Sequence, residues 1–186
     1  MRLLPARALL IGVVAACSSS PPPVADSMRF VNATGESRAE RTRWSVTPQG
    51  VGVVRIGMSL DSLASALGQP ASALSSGGRA CAYLRPAALP AGVGLLALRD
   101  TIVRVDVDSG GVLTDEGVGI GDSEVGLLVL YAGVIRVEPH GAIAHTLTVA
   151  NPPEATHLLV FETDGSLVLR YRAGRRAATQ VPDRCA

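Results

Sequence analysis

Apolar positions in this chain keep two periods, and one phrase that joins them occurs twice. Val53 to Ser59 reads as a strand leading into a helix. Ser59 suits the cap, because its hydroxyl can accept a free backbone N–H of the first turn. Leu60, Leu63, Ala64 and Leu67 then fall at i, i+3, i+4 and i+7, one helical face. Gly68 and Pro70 stop the helix. The sequence Ile56-Gly57-Met58-Ser59 returns as Ile120-Gly121-Asp122-Ser123, 64 residues later. A second helix is expected there, with Val125, Leu128 and Tyr131 inward, ending at Gly133. Strands are expected over 79–85, 92–99 and 101–108 after the first helix. After the second they are expected over 134–138, 143–150, 157–163 and 166–172, with Asp164-Gly165 as a tight hairpin turn. Val103, Val105 and Val107 alternate with Arg104, Asp106 and Asp108, the pattern of a strand with one wet face.

The expected class is α+β. Two tandem units of helix plus antiparallel meander join their sheets, with both helices on one face. Boundaries follow: 1–16 an export signal, 17–50 a tether and polar linker, 51–111 the first unit, and 112–186 the second with a C-terminal tail. Order is expected to begin near Val51. The Ile-Gly-x-Ser entry to a glycine-stopped helix, followed by three strands, resembles the tandem-repeat fold of beta-lactamase inhibitor protein. It also resembles the small lipoprotein of the outer-membrane barrel-assembly machinery. The likeness covers about Val51 to Arg172 and implies a protein-binding module. The Phe-x-Thr-Asp-Gly hairpin, here Phe161 to Gly165, and a late cysteine are similar to a group of exported bacterial proteins that carries no activity over.

The first residues, MRLLPARALLIGVVAAC, place Arg2 and Arg7 ahead of a short apolar run ending in small side chains. This is the layout of a secretory signal, and it is shorter than the roughly 20 residues that span a bilayer. Val14-Ala15-Ala16-Cys17 resembles the lipobox of bacterial lipoproteins, which implies cleavage before Cys17 and lipidation of its thiol. Ser18 to Pro23 reads as a tether. A serine after the lipidated cysteine favours the outer membrane, facing the periplasm, in a two-membrane cell.

Without Cys17, two cysteines remain, Cys81 and Cys185. An even pair in an exported domain points to a disulfide. Removing Arg2 and Arg7 from the 17 basic residues leaves 15 against 16 acidic ones, so the charge excludes a nucleic-acid binder. Every basic residue is arginine.

Candidate chemistry is sparse. Gly121-Asp122-Ser123 resembles the GDS block of lipid and ester hydrolases, but no Asp-x-x-His follows to supply the base. Ser59 also holds the matching place in the first copy, so both serines read as helix caps. His140, His145 and His157 are the only histidines; His145 and His157 lie on or beside strands that could bring them together, yet their spacing specifies no zinc site. Asp106 to Gly111 resembles the start of a calcium loop, but Gly117 stands where the bidentate glutamate belongs. Asp115, Glu116, Glu162 and Asp164 read as turn or rim carboxylates. Arg170, Arg172, Arg175 and Arg176 form a small basic cluster, read as a solvated surface. No cofactor, metal or catalytic residue is expected. The functional expectation is a lipid-anchored envelope module with a protein partner bound through the exposed sheet face, for which Arg104, Asp106 and Asp108 are the candidates. The alternatives are an inhibitor of an exported enzyme, using a rigid loop around 87–93, an exported hydrolase, or a structural tether without a specific ligand.

Overall fold

The computed structural model describes residues 43–75, 77–181 and 184–185. The expected export signal, Cys17 and the part of the expected tether and linker over 17–42 lie outside the described residues. Order begins before Val51: β1 (Val46–Thr47), β2 (Gly50–Val51) and β3 (Val54–Arg55) form a small antiparallel sheet. Val46, Val51 and Val54 are fully buried. The expected long strand over 53–59 is therefore two residues, because the chain turns back on itself at Gly52.

Helix α1 (Leu60–Leu67) follows, capped by Ser59, whose hydroxyl accepts the Ser62 N–H at 3.1 Å. Gly68 ends it in the left-handed conformation, φ 63°. After a 3-10 turn (Ala71–Leu74) come β4 (Cys81–Leu84), β5 (Val93–Leu98) and β6 (Thr101–Val107). Then come α2 (Glu124–Leu130), β7 (Ile135–His140), β8 (Ala144–Val149), β9 (His157–Thr163), β10 (Val168–Arg175) and the short α3 (Arg176–Thr179). Strands β4 to β10 make one antiparallel sheet in the order β4-β5-β6-β10-β9-β8-β7. The β6–β10 pair joins its two parts. The protein is α+β and mostly strand.

The entries to the two helices make matching hydrogen bonds. Gly57 N–H donates to Ile102 O at 2.7 Å and Gly121 N–H to Val168 O at 2.9 Å. Ile102 N–H donates to Met58 O and Val168 N–H to Asp122 O, at 2.8 and 2.9 Å. Leu60 N–H reaches Asp100 O and Glu124 N–H reaches Ser166 O, at 3.0 and 2.8 Å. Both glycines hold positive φ, 97° and 92°, which a side chain would resist. The hairpins they grip differ. Arg99-Asp100 makes a two-residue turn with both φ positive. The expected two-residue turn at Asp164-Gly165 is instead a four-residue loop, in which Asp164 Oδ1 accepts the Ser166 and Leu167 N–H groups.

One sheet face carries the core. Leu95, Val105, Ala173, Leu159 and Val149 lie in register across five strands. Phe161 stands between Tyr131 and Tyr171, with ring centroids 6.0 and 5.5 Å apart. Leu60, Leu63 and Ala64 of α1 and Leu127 of α2 belong to the same buried cluster. The inward face of α2 is thus Glu124, Leu127 and Tyr131, with Leu128 half-buried. Val125, expected inward, is 70% exposed. The Ser123 cap fixes the helix phase, and that phase turns Val125 out. No helix among the described residues is long and apolar enough to cross a membrane.

Candidate functional site

Three places bear on function: the second face of the sheet, the polar end of the core under α2, and the outward face of α2 itself.

The alternation over 101–108 puts Arg104 and Asp106 on the second face as expected, but that face is not wet. Arg104 is 1% exposed and Asp106 8%. Arg104 Nε lies 3.0 Å from Asp106 Oδ1, and its Nη1 donates to the carbonyls of Ala178 and Val181 at 2.7 and 2.6 Å. Arg172, read from sequence as a solvated strand position, is also buried. It pairs with Glu162 and donates from Nε to Thr179 O. The cover is the chain's own C-terminal segment, which α3 begins. Its far end is fixed by the Cys81–Cys185 disulfide, spanning 104 residues. Arg184 lies over the Tyr83 ring at 4.5 Å and reaches Asp108 Oδ2 at 2.7 Å, where Arg85 also bonds. Gly94 leaves the room that the Tyr83 hydroxyl occupies.

Burial pushes the Asp106 carboxyl above its ordinary range, with Arg104 pulling the other way. For Asp108 burial is outweighed by the bonds from Arg85 and Arg184, and the carboxyl is held low. Burial raises the Tyr83 phenol to about 12, aided by Asp106 and opposed by Arg184 and Arg85. The two aspartates that suggested the start of a calcium loop are therefore committed to arginines. Arg104 and Asp106 do not form an open binding face; they are an internal polar layer. Asp108, on its margin, is half-buried.

At the end of the core, Glu124 occupies the first turn of α2 and is 7% exposed. Its carboxylate accepts from the Thr163 hydroxyl and lies 2.9 Å from His145 Nδ1. Sequence reasoning missed this pair. The signal was present: 124 is 60 plus 64, so Glu124 stands where the first helix places the core residue Leu60. With Nδ1 held by the carboxylate, Nε2 is the ring nitrogen left for a further partner. Among the described residues no hydroxyl or thiol is hydrogen-bonded to that nitrogen. Ser123 is not directed there: its hydroxyl accepts the Gly126 N–H at 3.1 Å, the same capping role as Ser59. His145 and His157 do not meet, since they lie opposite Thr163 and Arg175, at the two ends of the β9 pairing. Among the described residues no group of three or more His, Cys, Asp or Glu is placed to hold a metal.

The outward face of α2 is Val125, Val129 and Leu130, respectively 70%, 74% and 50% exposed. The outward residues of α1 are Asp61, Ser62, Ser65 and Ala66. Val125 thus corresponds to Asp61 and Val129 to Ser65, each 64 residues earlier. The loop around 87–93 does not protrude throughout; Leu89, near its centre, is buried in the core.

No protein-family model, no curated protein and no solved structure matches this chain.

Proposed function

We propose that the chain is a lipid-anchored, extracytoplasmic protein-binding module whose contact surface is the outward face of α2. In this reading Cys17 carries the anchor and 17–42 the tether. The folded part consists of two copies of one helix-and-meander unit, with both helices against the same sheet face. The matched hydrogen bonds at Gly57/Gly121 and Leu60/Glu124 support the duplication.

The observation that carries the proposal is the contrast between the two helices. Folding requires an apolar inner face, and both helices have one. Only α2 also has an apolar outer face. Exposed apolar side chains clustered on one element mark contact sites more often than solvated surface. Val125 and Val129, at i and i+4, form the kind of apolar stripe that a helix lays in a groove. Asp122 and Asp164 lie beside the start of α2, joined through Leu167 and Val168. The Leu167 and Ser166 N–H groups hold Asp164 below the usual carboxylate range. These charges favour a protein groove rimmed by cations over an anionic lipid surface.

The test is Val125→Asp with Val129→Ser, which gives α2 the α1 residues at its two most exposed apolar positions. The anchored protein should keep its stability to within about 0.5 kcal/mol, as surface changes do. It should lose the larger native complex that the unaltered protein forms in envelope extract. An unchanged complex would remove α2 as the contact.

A further inference from the structure

The arginines of the sheet are mostly paired. Arg104, Arg136, Arg170 and Arg172 each have a carboxylate partner. Arg175 and Arg176 have none among the described residues. They meet at a cleft of about 490 Å³ between the start of β9 and α3, whose polar lining is Glu154, Thr156, His157, Arg175, Arg176 and Gln180. Arg176 is held in place: Nε donates to Ala155 O at 3.0 Å and Nη2 to Pro153 O at 2.6 Å. Its Nη1 makes no hydrogen bond among the described residues and remains available at the wall. Arg175 pairs in register with His157, so the two side chains leave neighbouring strands on the same face. His157 Nδ1 lies 3.0 Å from the Thr156 hydroxyl, which leaves Nε2 for a ligand. The Gln180 and Arg175 side chains make no hydrogen bond to described residues. Donors therefore outnumber acceptors, and Glu154 is the only carboxylate against two guanidinium groups.

We propose that this cleft binds a phosphate group carried on a small organic moiety. Guanidinium forks match phosphate oxygens in pairs, and a fixed arginine beside a free one supplies the rigid and the adaptable half of such a site. The volume lies within the roughly 300–1,000 Å³ of small-molecule sites and exceeds what a bare phosphate fills. The phosphate can belong to a soluble monoester or to a phospholipid headgroup. The cleft sits at the opposite end of the β9–β10 pair from the Thr163–Val168 end beside α2, so both surfaces can be occupied together.

The test uses the full chain with Cys17→Ser, so that no acyl chain contributes, and with Arg175→Gln added as the comparison. Glycerol phosphate is titrated while the backbone amides are followed by NMR. Separately, the protein is sedimented with phosphatidylcholine vesicles with or without phosphatidylglycerol. The expected result is saturable shifts confined to 154–157 and 175–180, weakened at least tenfold by Arg175→Gln. Sedimentation with phosphatidylglycerol vesicles that Arg175→Gln abolishes assigns the phosphate to a headgroup. Glycerol phosphate binding without sedimentation assigns it to a soluble ester. Shifts that do not saturate, or that persist unchanged in Arg175→Gln, would overturn the site.

Discussion

Arg104 and Asp106 lie two residues apart on β6, 3.0 Å from Nε to Oδ1, and neither reaches solvent appreciably. Arg104 Nη1 also donates to the carbonyls of Ala178 and Val181, more than seventy positions later. Removing one member of a buried pair leaves the other charge uncompensated. Arg104→Ala should cost about 3–5 kcal/mol, read by chemical denaturation. The double change Arg104→Met with Asp106→Leu should cost much less, because it removes both charges and keeps the volume. Equal losses would show that the pair is not what holds the layer.

The C-terminal segment closes over that layer and is fixed by Cys81–Cys185. Cys185→Ser frees a loop of this length in the unfolded chain, which on entropy grounds is about 4–5 kcal/mol. A lower midpoint in denaturant should accompany faster amide exchange at 177–181. Protection there equal to that of the oxidised protein would mean that the arginine bonds alone secure the segment.

Glu124 stands in a core position and is satisfied by His145 and Thr163. Glu124→Leu matches the residue of the first helix but strips the buried Thr163 hydroxyl of its acceptor, a cost of about 1–3 kcal/mol. Glu124→Gln keeps an oxygen acceptor and should cost less. Thermal unfolding of the two variants separates packing from hydrogen bonding at this site.

Asp115 stands beside Glu116, which accepts the Tyr131 hydroxyl at 3.1 Å. Burial, then the bond and charge of Glu116, lift Asp115 to about 6. A carboxyl raised above its unfolded value of about 3.9 binds protons more tightly in the folded state. Its contribution to stability therefore grows as pH falls from 7 through 6 towards 4, and is lost as pH rises. Asp115→Asn should flatten that slope in denaturation measured at pH 7 and pH 5. Carboxyl NMR should place one titration near 6.

Much of this architecture is legible locally. Ser59 and Ser123 announce their helices because a cap is a short-range bond, and the strands over 93–98 and 157–163 follow from runs of β-branched and leucine residues. The cysteine pair is legible from parity alone. The failures are non-local. Period-2 alternation shows which way Arg104 points, but not that residues 178 and 181 return to cover it. The phase of α2 was misread because apolar residues occupy both its faces, Leu127 inward and Val125 and Val129 outward; the 64-residue offset, which aligns Leu127 with Leu63 and Val125 with Asp61, contains the correct phase. The small sheet at 46–55 escapes notice because two-residue strands leave no periodicity.

Position 129 decides the functional account. A photo-activatable residue placed there, in the full chain expressed in its own cell, should cross-link to one protein, and the same residue at position 65 of α1 should not. Cross-links of equal yield from both positions, or none from 129 in folded and oxidised protein, would contradict a contact surface on α2.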